Sequence, residues 1–234
     1  MDIDVRSGSG LRERTVEAIG LGIVDGTYPP GHRFANQEDL SAQLGVSRNV
    51  LREAFGSLRD KGLIEARPKA GTIVADTAAW AMSDPDVLRW SAASRSAPTT
   101  LHHVAEACLI IEPAAARLAA LRRSNAESEE IVRLGEALAE CADDDPKRIE
   151  TELALRQAVF RAAANPIVAH LAETIRGALV GSPGMTDSVT GGAANPIGLY
   201  CRVAEAIRDG DGPEAARVMA ELVEASAADV LDQR

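Results

Sequence analysis

Between Leu11 and Val74 the spacing of apolar positions changes character twice. Leu11, Thr15, Ala18, Ile19, Gly22 and Ile23 recur at helical intervals, which predicts a first helix ending near Gly26. Tyr28-Pro29-Pro30-Gly31 then turns the chain, and His32 lies in that turn, where a solvent-exposed side chain is expected. A short second helix is predicted from Gln37 to Leu44, with Asn36 as N-cap and Asp39 three residues later in a capping-box arrangement. Gly45 and Val46 form a tight connection to a third helix, which starts at the N-cap residue Ser47. It runs about four turns to Asp60 or Lys61, where Gly62 supplies a left-handed residue. Beyond Gly62 the pattern becomes Leu63-Ile64-Glu65-Ala66-Arg67, a basic turn Pro68-Lys69-Ala70-Gly71, and Thr72-Ile73-Val74, which reads as two short strands.

The third helix has two unlike faces. At about 100° per residue, Leu51, Ala54, Phe55 and Leu58 share one side, while Arg48, Arg52 and Arg59 fall on a narrow strip beside it. Arginines on a surface helix are usually just solvated. Here the context is helix, short Gly-containing turn, helix, β-ribbon, which is the order of a winged helix-turn-helix whose second helix enters the major groove.

Residues 77–100 read as a linker. Within it, Asp84 and Pro85 predict a short helix with proline at its first position, docking Leu88 and Trp90 on a neighbouring domain. From 101 to 231 no strand pattern occurs. Six helices are expected, at 101–121, 127–142, 147–164, 166–181, 195–209 and 213–231, joined mostly by short polar breaks such as Asn165-Pro166 that favour antiparallel neighbours. Pro113 falls inside the first of these and is expected to kink it. The Gly-rich stretch 182–194 reads either as a cover for a ligand cavity or as a plain connection. The fold class is therefore mainly α: a winged helix-turn-helix over 1–76, the linker, and an all-α antiparallel helical bundle over 101–234.

Composition supports helices and refines the charge picture. Aromatic residues make up only 3% of the 234 residues, so Ala and Leu must fill most of the interior. The formal net charge of −10 is unevenly divided. Residues 1–76 hold ten Lys and Arg against eleven Asp and Glu, whereas 77–234 hold fifteen against twenty-four. Residues 47–71 hold six against three, so positive charge gathers where a DNA groove would be. Cys108, Cys141 and Cys201 are odd in number and lack a CxxC pair, which argues against a disulfide framework or a zinc site. The polar start, residues 1–10, is expected to be disordered and has no signal-peptide core; with no run of 18 apolar residues either, a cytoplasmic protein without a membrane partner is expected.

From Pro30 to Thr72 the motifs Pro30-Gly31, Gln37-Glu38-Asp39-Leu40, Leu44-Gly45-Val46-Ser47-Arg48, Leu51-Arg52-Glu53-Ala54, Gly62-Leu63-Ile64 and Gly71-Thr72 resemble the DNA-binding domain of the GntR superfamily. The resemblance implies DNA contacts from Ser47, Arg48, Asn49 and Arg52 on the recognition helix. It also implies a wing tip, Lys69 to Gly71, that reaches the minor groove. Where the family has Leu-Pro-x-Glu-Arg this chain has Phe34-Ala35-Asn36-Gln37-Glu38, so an acid replaces an arginine that is often a DNA contact.

Ile110-Ile-Glu-Pro-Ala-Ala-Ala-Arg-Leu-Ala-Ala120, Ala164-Asn165-Pro166 and Ala206-Ile207-Arg208 with Ala215-Ala216 and Met219 are similar to the FCD effector domain of the FadR subgroup. The segment from Trp80 through Asp84-Pro-Asp-Val-Leu-Arg-Trp90 resembles the linker of sugar-acid-responsive regulators of galactonate type. Many FCD domains bind a divalent metal through an aspartate and three histidines. At the matching positions this chain has Glu152, Arg156, Tyr200 and Leu222, while His102, His103 and His170 match none of them, so no metal cofactor is expected. Cys108 stands where the family often has an inward arginine.

Ile149, Leu153, Phe160 and Ala163 mark an inward face of their helix, with Glu152 and Arg156 bordering it at i, i+4 spacing. Tyr200 shares a face with Ile197, Ala204 and Ile207. Two readings stand side by side. Glu152 and Arg156 form an internal ion pair capped by Tyr200, or Arg156 binds the carboxylate of an acidic effector by a bidentate contact. The expected protein is a homodimeric regulator that binds a double-stranded operator and is released by a small organic acid, with sugar acids among the candidates. The competing classes are a constitutive DNA binder with a decayed effector site, and an enzyme fused to a DNA-binding module. For the enzyme the sequence offers no Glu-x-x-His pair and no Ser/His/Asp arrangement with supporting context.

Overall fold

A computed structural model describes residues 10–141, 146–180 and 197–231. The Gly-rich stretch 182–194 and residues 1–9 lie outside them. The chain divides into two compact units, residues 1–97 and 98–234. The first is a winged helix-turn-helix and the second is all-helical among the described residues.

In the first unit, α1 (Gly10–Val24), α2 (Gln37–Leu44) and α3 (Arg48–Asp60) precede an antiparallel ribbon of β1 (Ile64–Arg67) and β2 (Gly71–Val74). The amphipathic reading of α3 holds: Leu51, Ala54, Phe55 and Leu58 are buried against Ile19, Ile23 and Leu63 in one apolar cluster. Asn36 caps α2 by accepting from the amides of Glu38 and Asp39 at 3.0 and 2.9 Å. Asp39 does turn back, but its carboxylate accepts from the Asn36 side-chain amide at 2.7 Å. Gly62 has a φ of 73°, and a Cβ there would run into the carbonyl of Ala79, so glycine is required twice over.

Two features depart from the sequence pattern. The segment 31–34 runs beside β2, with hydrogen bonds from Gly31 and Phe34 to Val74 and Thr72, and so forms a third edge to the ribbon. That pairing draws His32 into an aromatic cluster, half-buried between Tyr28 and Phe34 with ring centroids 5.1 and 5.2 Å away. The short helix expected from Asp84 is present: a 3₁₀ turn (Thr77–Ala79) leads into α4 (Pro85–Ala92), with Asp84 as its N-cap and Pro85 in its first turn. Trp90 of α4 is 1% exposed and belongs to the apolar cluster of the winged helix. Lys61 bonds Asp84 and Asp86 at 2.8 Å, and Arg89 bonds Glu17 at 2.8 Å, so α4 is also fastened to α1 and α3 by charge.

The second unit comprises α5 (Ala97–Arg122), α6 (Asn125–Glu140), α7 (Pro146–Ala162), α8 (Pro166–Val180), α9 (Ile197–Asp209) and α10 (Gly212–Leu231). Pro113 lies inside α5 without ending it. α6 begins two residues earlier than its apolar spacing suggests, because Ser124 and Glu127 form a reciprocal capping box. α9 packs on α6 and α10, α6 on α7, and α7 on α8. Alanines 105, 115, 116, 119 and 120 of α5 are 0–1% exposed, which lets helix backbones approach closely. Among the described residues no helix is long and apolar enough to cross a membrane.

Candidate functional site

Two surfaces carry chemistry, one in each unit. In the first unit, Ser47 accepts from the Val50 amide at 3.2 Å, which fixes the start of α3. With Leu51, Ala54, Phe55 and Leu58 committed to the core, Ser47, Arg48, Asn49 and Arg52 are left exposed around the helix N-terminus. Arg59 is exposed as well, but lies about 16 Å further along the axis from Arg48. Among the described residues Arg52, Arg59 and Lys69 form no ion pair, whereas Arg48 donates to the carboxylate of Glu38 on α2.

At the tip of the ribbon, Lys69 and Gly71 are exposed and both adopt positive φ, 64° and 80°. The Lys69 carbonyl accepts from Arg33 at 3.4 Å, so a cation outside the ribbon supports the tip. Sequence reasoning misses Arg33, whose one signal is a lone arginine two residues after the Pro-Gly turn. Ala70, Gly71 and Thr72 share a surface cleft with Asn36 and Gln37 at the start of α2, so ribbon tip and helix pair face one side.

In the second unit the buried polar residues are organised differently from the i, i+4 reading. Glu152 and Arg156 do not border the inward face of α7; they lie within it, 1% and 8% exposed, while Ile149 and Leu153 are only half-buried. Nor do they pair with each other. The Arg156 guanidinium donates to Glu112 of α5, to the Tyr200 hydroxyl at 3.3 Å and to Ser226 at 3.5 Å. Glu152 accepts instead from Arg148 at 3.2 Å, and its Oε2 has no hydrogen-bond partner among the described residues. The spacing rule finds neighbours on one helix but is blind to Glu112, which arrives from 44 residues away. The available signal is an acid inside the otherwise apolar run of α5. The Tyr200 contact to Arg156 is present.

Burial sets the protonation of this cluster. It raises the Glu152 carboxyl above the usual range, and Arg148 and Arg156 only partly counteract it. Burial works against the Arg156 charge most strongly, but Glu112 together with Tyr200 and Cys108 outweighs it, and the guanidinium stays charged. Tyr200 is raised by burial, and Cys108 well above its ordinary value by burial and then by Glu112, which holds that thiol in its protonated form.

Beside Arg156 opens a cavity of about 170 Å³ between α5, α7 and α8. Ile111, Leu153, Phe160, Ala169 and Ala172 give it apolar walls, Cys108, Glu112 and Arg156 polar ones. Of the three effector residues that the sequence suggests, Arg156 lines the cavity. Glu152 and Tyr200 are buried elsewhere in the network.

The residues at the family's metal-ligand positions do not fit a divalent ion. Arg156 presents a buried cation held by Glu112, Leu222 is fully buried without a donor atom, and Glu152 is the single carboxylate. Among the described residues no group of three His, Cys, Asp or Glu is arranged to hold a metal.

Known proteins match both units. The gntR family of bacterial regulatory proteins matches residues 11–74, and the FCD domain matches residues 103–225. The galactonate operon transcriptional repressor of Escherichia coli K12 is 32% identical over 166 residues, covering 70% of this chain and 71% of that protein. The uncharacterized HTH-type regulator YieP of the same organism is 27% identical, covering 85% and 86%. In fold, the chain is similar to the Lar regulator that controls the Listeria monocytogenes agr system, with a TM-score of 0.53 at 15% identity, covering 98% of this chain and all of that one. A winged helix with an exposed cationic recognition helix, an all-helical unit matched to the FCD domain over more than half of the chain, and a relative of this identity together place the protein in the gntR family of bacterial regulatory proteins, as a member with an FCD domain.

Proposed function

We propose that this protein is a cytoplasmic, ligand-responsive repressor of an operon for carbohydrate or organic-acid breakdown, acting as a homodimer on a pseudo-palindromic double-stranded operator. Ser47, Arg48, Asn49 and Arg52 enter the major groove, while Lys69 and Gly71 of the ribbon tip reach the minor groove. A small carboxylate, of the sugar-acid class that appears in the name of the galactonate repressor, enters the helical unit and lowers operator affinity.

The observation that carries this reading is the cavity with a buried, charged Arg156 in its wall. Because Arg156 already holds Glu112, an acidic ligand exchanges one carboxylate for another. Glu112 is then released, and it belongs to α5, the helix that begins at the end of the first unit. A shift of α5 couples the cavity to the winged helix, and the coupling requires that the ligand prefer one arrangement over the other. No step needs a metal.

Thermal unfolding of chelator-treated protein against a panel of sugar acids and other small carboxylates tests the reading. A ligand at a hundred times its dissociation constant stabilises by about 2.7 kcal/mol. The expected result is a shift without metal that Arg156→Ala abolishes, with loss of operator binding at the same ligand concentration. No shift with any acid removes the carboxylate effector and favours constitutive DNA binding.

A further inference from the structure

The Glu38–Arg48 pair sits where DNA binding is expected and has no role in the core. Glu38 belongs to the first turn of α2 and Arg48 is the first residue of α3; their side chains are 69% and 63% exposed. An ion pair this exposed adds little to stability. Its effect falls on what Arg48 can do. A free arginine at the N-terminus of a recognition helix is drawn to the nearest phosphate, because attraction to the backbone needs no particular geometry. Arg48 instead has Nη2 held by a carboxylate from the neighbouring helix. That contact offsets its charge and biases the guanidinium toward one orientation, leaving its other N–H groups free to donate as a planar fork. Two parallel donors in one plane match O6 and N7 of guanine in the major groove.

We infer that Glu38 is a specificity-determining residue of the DNA interface: by holding Arg48 it turns that arginine from a phosphate contact into the reader of one guanine in each half-site. This rests on the regulator reading above. It assigns Glu38 a positioning role, distinct from direct contact. The side chain can be removed without harm to the α2 cap, since it is the Glu38 backbone amide that bonds Asn36.

The test is selection from a pool of random-sequence duplex DNA with wild type, Glu38→Ala and Arg48→Ala, followed by binding to the selected and to unrelated duplexes over a range of salt. Wild type is expected to enrich a motif with a strongly preferred G·C pair in each half-site. Glu38→Ala should lose the preference at that pair alone and bind unrelated duplex more tightly. Its plot of log affinity against log salt should steepen by about 0.9, as expected when Arg48 neutralises one further phosphate. Arg48→Ala should lose the same base preference without the steeper slope. The inference is overturned if Glu38→Ala enriches the wild-type motif unchanged, or if it weakens every position alike with no change in slope. A wild-type protein that enriches no motif overturns the regulator reading itself.

Discussion

Glu112 on α5 accepts a hydrogen bond from the Arg156 guanidinium on α7, joining two helices through a pair whose side chains are 7% and 10% exposed. A charge pair this deep is sustained by mutual dependence, because each partner offsets the cost of burying the other. Removing one leaves a stranded charge. Arg156→Ala and Glu112→Ala should therefore each lower stability by about 3–5 kcal/mol, whereas the double variant Glu112→Gln/Arg156→Met should lie close to wild type. Urea titrations of the three variants measure this. Equal losses in the double and single variants would mean that the pair is not coupled as described.

Glu152 gives a pH dependence of definite sign. Its carboxyl is raised above the ordinary value, chiefly by burial, so the folded protein binds this proton more tightly than the unfolded chain. The stabilising effect is complete below the unfolded value and is lost as pH rises through the higher folded one. Glu152→Gln mimics the protonated form at every pH. Its melting temperature should exceed that of wild type above that window and converge with it at lower pH. A difference independent of pH would show that the carboxyl does not titrate there.

How far the chain can be read in advance follows from where its information is local. Caps, turns and amphipathic faces are local, and Ser47, Gly62 and the buried face of α3 can be read directly. The pairing of residues 31–34 with β2, which places His32 between two rings, depends on contacts about forty residues apart and leaves no periodic trace. The buried network around Arg156 escapes in the same way. Arg156 is identifiable as a substituted ligand position. Its partner Glu112 is not, since an i, i+4 neighbour stands closer in sequence. On the DNA face, Glu38 is visible as an unusual acid, while its bond to Arg48 requires the α2–α3 geometry.

The contact of α1 with α4 makes a stringent packing prediction. A Cβ on Gly20 would fall within the Trp90 ring, which is itself 1% exposed. Gly20→Ala gains helix propensity of about 1 kcal/mol but forces the ring to move, at about 1–3 kcal/mol for overpacking. The net expectation is a loss of stability with an altered Trp90 environment. An unchanged tryptophan fluorescence spectrum together with a raised melting temperature would mean that the ring is not seated against α1.

Asp84 should matter more to α4 than Asp86 does. It accepts from the amides of Asp86 and Val87 at 2.9 and 3.2 Å as the N-cap and also bonds Lys61, whereas among the described residues the Asp86 carboxylate caps no amide, meets only the Lys61 and Arg89 side chains at 2.8 and 3.2 Å, and is 44% exposed. Asp84→Ala should cost about 1 kcal/mol through the cap, and Asp86→Ala less than that. Thermal melts of the two variants decide the order.

Among the arginines of α3, position along the axis should separate those that touch DNA from those that do not. The N-terminal residues of a recognition helix approach the base edges while its far end leaves the groove. Arg52 lies one turn from the N-terminus, is exposed and has no ion pair among the described residues; Arg59 shares its side of the helix but lies about 10 Å further on. If Arg52 neutralises one phosphate, Arg52→Ala should reduce the salt slope of operator binding by about 0.9, and Arg59→Ala should leave it nearly unchanged. Fluorescence anisotropy on a labelled duplex over a range of salt measures both slopes. Equal reductions would place the whole cationic strip against the backbone, with α3 lying along the groove instead of entering it by its N-terminus.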